Sequence, residues 1–264
     1  MRILEDNLVI TDNDFLWKYL DLYKFLYLIQ TNKIYFSRLD KFDDPLEGLS
    51  DRIIYDKFFF DHTSTFEEPN PAIPLEQRQL NADRAKKGLK DIKEVASITQ
   101  VSQYASCWYI SHRESRAMWD LYSSCDSVAI RFDGKELIYI IKNEAQKNKD
   151  TNFDYMIVGN VYYRDLYPPD PTIHPMTELP NMFSVNKKDS CYAHEKEFRF
   201  VVNRKKPNPK VIGFELDFPK LTSLSFNIIT HPKMEEWKYA ILRKLLEKFS
   251  IEKYLSKSVI PTGL

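Results

Sequence analysis

The chain has 264 residues, with 38 basic and 38 acidic side chains and no formal net charge, so bulk electrostatics calls for no nucleic-acid partner. Hydrophobic residues make up 43%, and 6 Gly stand against 17 Phe and 16 Tyr: the composition of one packed, aromatic-rich domain with room for an insertion. The three cysteines, Cys107, Cys125 and Cys191, have no C-x-x-C spacing and form neither a disulfide framework nor a zinc module. The N-terminus carries acidic residues and no apolar core, and no run approaches the roughly 18 apolar residues of a membrane span. A cytoplasmic protein without membrane contact is expected.

In chain order, the aromatic stretch 15–20 reads as a strand. Asp21 then caps a helix with Leu22, Phe25, Leu26 and Ile29 at helical spacing. "KIYFSRL" reads as a strand and "DKFDDPLEG" as a turn-rich loop held by Pro45 and Gly48. Residues 66–77 contain three prolines and read as a surface linker. A charged helix follows to about residue 97, with Ala85, Leu89, Ile92 and Ala96 as its apolar stripe; the whole of 66–100 reads as a helical insertion beside the sheet. "QYASCWYIS" is a strand, "RESRAMWDLYSS" a short helix or turn, "DSVAIRF" a strand, "GKELIYIIKNEAQ" a helix and "YMIVGNVYYR" a strand. "PPDPTIHP" is a loop. "FRFVV", "VIGFELDF" and "LSFNIIT" are strands. An amphipathic helix at about 233–250 places Met234, Trp237, Ile241 and Leu245 on its buried stripe. Helices early and late around gathered strands predict a single α+β domain over 1–264 with a curved, mainly antiparallel sheet.

There is no G-x-G-x-x-G, P-loop, H-E-x-x-H or G-x-S-x-G, and the five histidines lack ligand spacing, so no metal is expected. Three stretches remain. In "YFSRLDKFDDPLEG", Ser37 and Arg38 end a strand before an acidic loop. Asp-Asp-Pro forms an Asx turn by itself, while Arg38 suits an anionic group such as a diphosphate. In "RESRAMWDLY", Met118, Trp119 and Tyr122 form either core or a surface that stacks a flat heterocycle. In "HEKEFRF", strand alternation puts Glu195, Glu197 and Arg199 on one face, with the two carboxylates roughly 6.5 Å apart along the chain. They are either a solvated strand end paired to Arg199 or a catalytic pair.

"YFS" followed by "F-D-D-P-x-E" (Phe42 to Glu47), "MW-x-x-Y" (Met118 to Tyr122) and "E-x-E-F-R" (Glu195 to Arg199) resemble a bacterial family of uncharacterised domains. The order of elements also resembles the DarT-type ADP-ribosyltransferases. In that likeness "RESRAMW" stands where such enzymes carry an Arg and a Met-Leu pair near NAD, and "KEFRF" where they carry the catalytic Glu. Here Trp119 replaces the Leu, and Lys18 and Tyr19 stand where the first strand has a His or Arg and a small hydroxyl residue.

The resemblance implies an ADP-ribosyltransferase-like sheet, NAD as substrate, Glu197 and Glu195 as catalytic residues, and Lys18, Tyr19, Ser37, Arg38, Arg116, Met118, Trp119 and Tyr122 as NAD-binding residues. It implies a toxin or phage-defence effector acting on RNA, DNA or protein and held by an antitoxin partner. Lys18, Tyr19, Ser37, Arg38, Met118, Trp119 and Glu197 are expected to line one cleft. The alternatives are a metal-dependent nuclease using Asp43, Asp44, Glu47, Glu195 and Glu197, and a non-catalytic ligand- or partner-binding module.

Overall fold

The computed structural model describes residues 1–56, 74–166 and 184–262. The loop expected at "PPDPTIHP" and most of the linker 66–77 lie outside them. The strands are β1 (Arg2–Glu5), β2 (Phe15–Leu20), β3 (Lys33–Arg38), β4 (Gln103–Ser111), β5 (Val128–Asp133), β6 (Phe153–Asn160), β7 (Tyr162–Arg164), β8 (Lys187–Asp189), β9 (Glu197–Arg204), β10 (Gly213–Asp217), β11 (Phe226–Thr230) and β12 (Leu255–Lys257). The helices that concern the argument are α1 (Leu22–Thr31), α2 (Leu75–Ser102), α3 (Arg116–Tyr122), α4 (Gly134–Lys147) and α5 (Glu236–Glu247).

The fold is α+β. One large sheet runs β1-β6-β9-β4-β2-β5-β11-β12, with β3 paired to β4 and β10 to β3; β7 and β8 form a separate parallel pair. Within the large sheet, β1–β6 and β11–β12 are parallel and the other pairs antiparallel. The sheet opens beside β4. Strand β2 pairs with β4 through Trp17↔Tyr109, and β3 joins the same edge only at Ser37↔Ala105 and Arg38↔Tyr104. Helix α1 links the two diverging strands; Asp21 caps it by accepting the Lys24 N–H at 2.8 Å, as its sequence predicts.

The two faces are unlike. Alternation sends Leu16, Tyr104, Trp108, Ile130, Phe198, Phe200 and Val202 to one side, where α1, α4 and α5 cover them in the main core. The other face carries two smaller apolar clusters. One holds Trp17, Tyr109, Trp119, Ala129 and Ile229 under α3; the other holds Leu39, Ala105, Ile157, Val185 and Val201. Between them on β9 lie Glu197 and Arg199.

Helix α5 differs from the expected stripe. It buries Leu242 and Leu246, while Trp237 and Ile241 are each 58% exposed. Leu242 and Leu246, four positions apart, carry the buried face, and Trp237 and Ile241 turn outward. Helix α2 runs directly into β4; its Leu89, Ile92 and Ala96 are half-buried. No helix among the described residues is long and apolar enough to cross a membrane.

Gly159 on β6 sits opposite Arg199. A Cβ there would lie 1.5 Å from the Asp6 carbonyl oxygen, and Asp6 is tied to β6 by its own N–H to Val158 O at 3.0 Å. Gly159→Ala is expected to cost about 3 kcal/mol, read by urea unfolding, because backbone must move to admit the methyl. A loss under about 0.5 kcal/mol would mean that the chain after β1 yields freely.

Candidate functional site

A cluster of buried charges occupies the gap between the two small apolar clusters. Its frame is the start of β9. Asp189 ends β8 and caps the 3-10 turn Ser190–Glu195, accepting the Cys191 N–H at 3.0 Å. Lys196 then takes a left-handed φ of 39°, and β9 begins at Glu197. Glu195 and Glu197 are therefore not alternate residues of one strand, as the sequence suggests. The first ends a turn, the second opens a strand, and the kink at Lys196 folds one towards the other. Alternation does hold for Glu197 and Arg199.

Arg199 is the centre. It is 0% exposed and bonds both oxygens of Glu47, with Nη2 to Oε2 at 3.0 Å; it also reaches Glu197 Oε2 at 2.7 Å and the Val185 carbonyl at 2.5 Å. Glu47 arrives from the "FDDPLEG" loop. Asp44 accepts the Leu46 N–H at 2.8 Å in the expected Asx turn, and Gly48 with φ 71° carries the chain away. The last turn of α2 holds this loop: Gln100 Nε2 donates to the Glu47 carbonyl at 2.9 Å. Lys188 supplies the second cation, 2.6 Å from Glu195 Oε2, 3.7 Å from Glu197 Oε2 and 3.8 Å from Glu47 Oε2. Tyr122, at the end of α3, donates its hydroxyl to Glu195 Oε1. Tyr163 on β7 accepts the Glu197 N–H at 2.9 Å.

These contacts set the protonation. Burial works against charge on Glu197, but Arg199 and Lys188 prevail and hold its carboxyl down at about 2. Burial prevails at Glu47 and pushes its carboxyl up against the pull of Arg199. Burial and the hydrogen bond to Glu195 raise the Tyr122 phenol, which stays a donor at neutral pH. Burial also raises the Cys107 thiol, which lies beside Glu197.

Of the expected site residues, the structure joins Tyr122 to Glu195 directly and Glu195 to Glu197 through Lys188. Tyr19 lies close by on the same face: its hydroxyl accepts the Ser115 N–H at 2.8 Å and its ring meets Trp119 edge-on at 4.8 Å. Met118 packs partly buried against this aromatic cluster, and Trp119 is 0% exposed with its indole N–H on Glu114 at 2.9 Å. Trp119 thus serves as core and presents no face for stacking a ligand. Arg116 is exposed and pairs with Asp120 at 2.8 Å.

Ser37 shares the face but opposes Ala105, four residues and about 13 Å along β4 from Tyr109. Arg38 and Lys18 depart from the expectation, since both point to the helix-covered face. Arg38 opposes Tyr104 there; it pairs with Asp40 and donates to the carbonyls of Asn208, Pro209 and Val211. Lys18 bridges the sheet opening, donating to Ser106 Oγ at 3.1 Å and the Cys107 carbonyl at 3.0 Å, and burial pushes its ammonium down to about 8.

The motifs give no sign of Lys188 or Tyr163. Glu47 stands in a stretch singled out by the sequence, though its partner Arg199 lies 152 positions away. Asp43 is exposed and stays outside the cluster. Searches of protein-family models, curated proteins and solved structures found no match to this chain.

Proposed function

We propose that the chain is an NAD-dependent ADP-ribosyltransferase with Glu197 as the ribose-side carboxylate and Glu195 as the acceptor-side carboxylate. The observation that carries the reading is the convergence of these two carboxylates, 6–7% exposed, on Lys188 at the start of β9, each with further partners of its own. The order of elements, with "RESRAMW" and "KEFRF" at the places where the DarT-type enzymes carry their NAD-side and catalytic residues, supports it from the sequence side.

In the proposed reaction the bond between ribose C1′ and nicotinamide breaks, and neutral nicotinamide leaves with the electron pair. Positive charge develops on the ribose, as in glycoside cleavage. Glu197, kept ionised by Arg199 and Lys188, offers a fixed negative charge to that state, and both cations approach its Oε2. An acceptor hydroxyl or amine then bonds to C1′ and gives its proton to Glu195, which passes it to solvent. Tyr122, 45% exposed, joins Glu195 to the surface where an acceptor arrives. The acceptor is RNA, DNA or protein, and the setting a bacterial toxin or phage-defence effector held by an antitoxin.

The experiment is incubation with NAD labelled in its adenosine, with RNA, DNA and protein acceptors present and chelator added. Label is expected on one acceptor class. Glu195→Gln is expected to lower transfer several-fold more than hydrolysis of NAD by water. Metal-dependent cutting of RNA or DNA without NAD would replace this reading by the nuclease. That reading has less support, because Glu47, Glu195 and Glu197 face Lys188 and Arg199 and not one another across an open site.

A further inference from the structure

We propose that Lys188 is the positioning residue of this site, its ammonium bridging the Glu195 and Glu197 carboxylates and holding them close together. The assignment rests on the reading of those two groups as the reacting carboxylates.

Lys188 lies on the short strand β8, 5% exposed. Arg199 serves Glu47 and Glu197, whereas Lys188 reaches all three carboxylates and makes its one short contact, 2.6 Å, with Glu195. The Asp189-capped turn brings Glu195 back over the lysine seven positions earlier in the chain. Without the ammonium, Glu47, Glu195 and Glu197 would share Arg199 as the remaining cation of the cluster among the described residues. Like charges so close do not all stay ionised in a buried site.

The groups that face Lys188 agree. Glu47 comes from the loop after β3, Glu197 and Arg199 from β9, and Glu195 and Tyr192 from the 3-10 turn; the Tyr192 ring lies 4.4 Å below the ammonium. Burial and Arg199 work against the charge, and the carboxylates more than restore it, so the lysine titrates above its ordinary value.

The test compares Lys188→Met, which keeps length and removes charge, with Lys188→Arg, which keeps charge. The readouts are the Glu197 carboxyl titration, followed by carbon NMR on glutamate labelled at the carboxyl carbon, and the pH profile of nicotinamide release. In Lys188→Met the Glu197 midpoint is expected to rise by about one unit or more, and the acid limb of the profile to move to higher pH with it. Lys188→Arg is expected to bring the midpoint back towards wild type.

A folded Lys188→Met with an unchanged Glu197 titration would make the lysine merely structural and overturn the proposal. If Lys188→Met does not fold, Glu195→Gln carries the test: the Lys188 amine, followed by nitrogen NMR, should titrate lower, and an unmoved midpoint would overturn the proposal. If the wild type releases no nicotinamide, the transferase reading fails, while the two titrations still decide what Lys188 does.

Discussion

Arg199→Met is expected to cost about 3–5 kcal/mol of folding free energy. The guanidinium is wholly enclosed and holds two carboxylates, Glu47 and Glu197, together with a backbone carbonyl. Its removal leaves both acids buried with Lys188 at 3.7 and 3.8 Å as their remaining cation in the cluster. Urea unfolding at neutral pH reads the loss as a lower midpoint at unchanged slope. Because the cost comes from stranded charge, the double variant Glu47→Leu/Arg199→Met should lose less than Arg199→Met alone. A single variant within about 1 kcal/mol of wild type would mean that water reaches the cluster and screens it.

Glu197→Gln is expected to slow nicotinamide release about a hundredfold, equivalent to roughly 3 kcal/mol of transition-state stabilisation. The amide keeps the shape and can still accept from Arg199, so the affinity for NAD should change little and the loss should appear in kcat. The pH dependence follows from the same contacts. Glu197 is held at about 2 against an ordinary 4.5, so its contribution to stability is complete above 4.5 and is lost as the pH falls towards 2. Glu197→Gln removes that acid-side loss, and acid unfolding of the variant should start at lower pH relative to its own neutral stability. Equal rates for wild type and variant would return Glu197 to a structural ion-pair partner of Arg199.

The regular elements were legible where a local pattern and its packing agree. The aromatic alternation of 15–20, the Asp21 cap and the run 103–111 lie in the structure where the sequence puts them, because each has a period and a boundary residue of its own. Strands β1, β8 and β12 have no readable pattern in the sequence. They have three or four residues, too few for a period, and they exist through their neighbours. Residues 155–164 read as one strand; they form β6 and β7, because the chain leaves the large sheet after Asn160 to pair with β8.

The site was legible in part for a similar reason. Adjacent residues on a strand point to opposite faces, so neither Lys18 with Tyr19 nor Ser37 with Arg38 can enter a cleft as a pair, and the structure turns Lys18 and Arg38 to the helix side. Strand period was the wrong tool for Glu195, since a left-handed Lys196 carries no strong signal in a non-glycine residue. The union of Glu47 with Arg199 depends on the order of strands in the sheet, which no local window contains.

The most direct measurement of the central claim is nicotinamide release from NAD by the purified wild-type protein in the presence of a metal chelator, quantified by chromatography. Nicotinamide is expected in amounts exceeding the protein, with ADP-ribose appearing on an acceptor or in solution. NAD remaining intact with every acceptor class, by a protein shown to be folded, would contradict it.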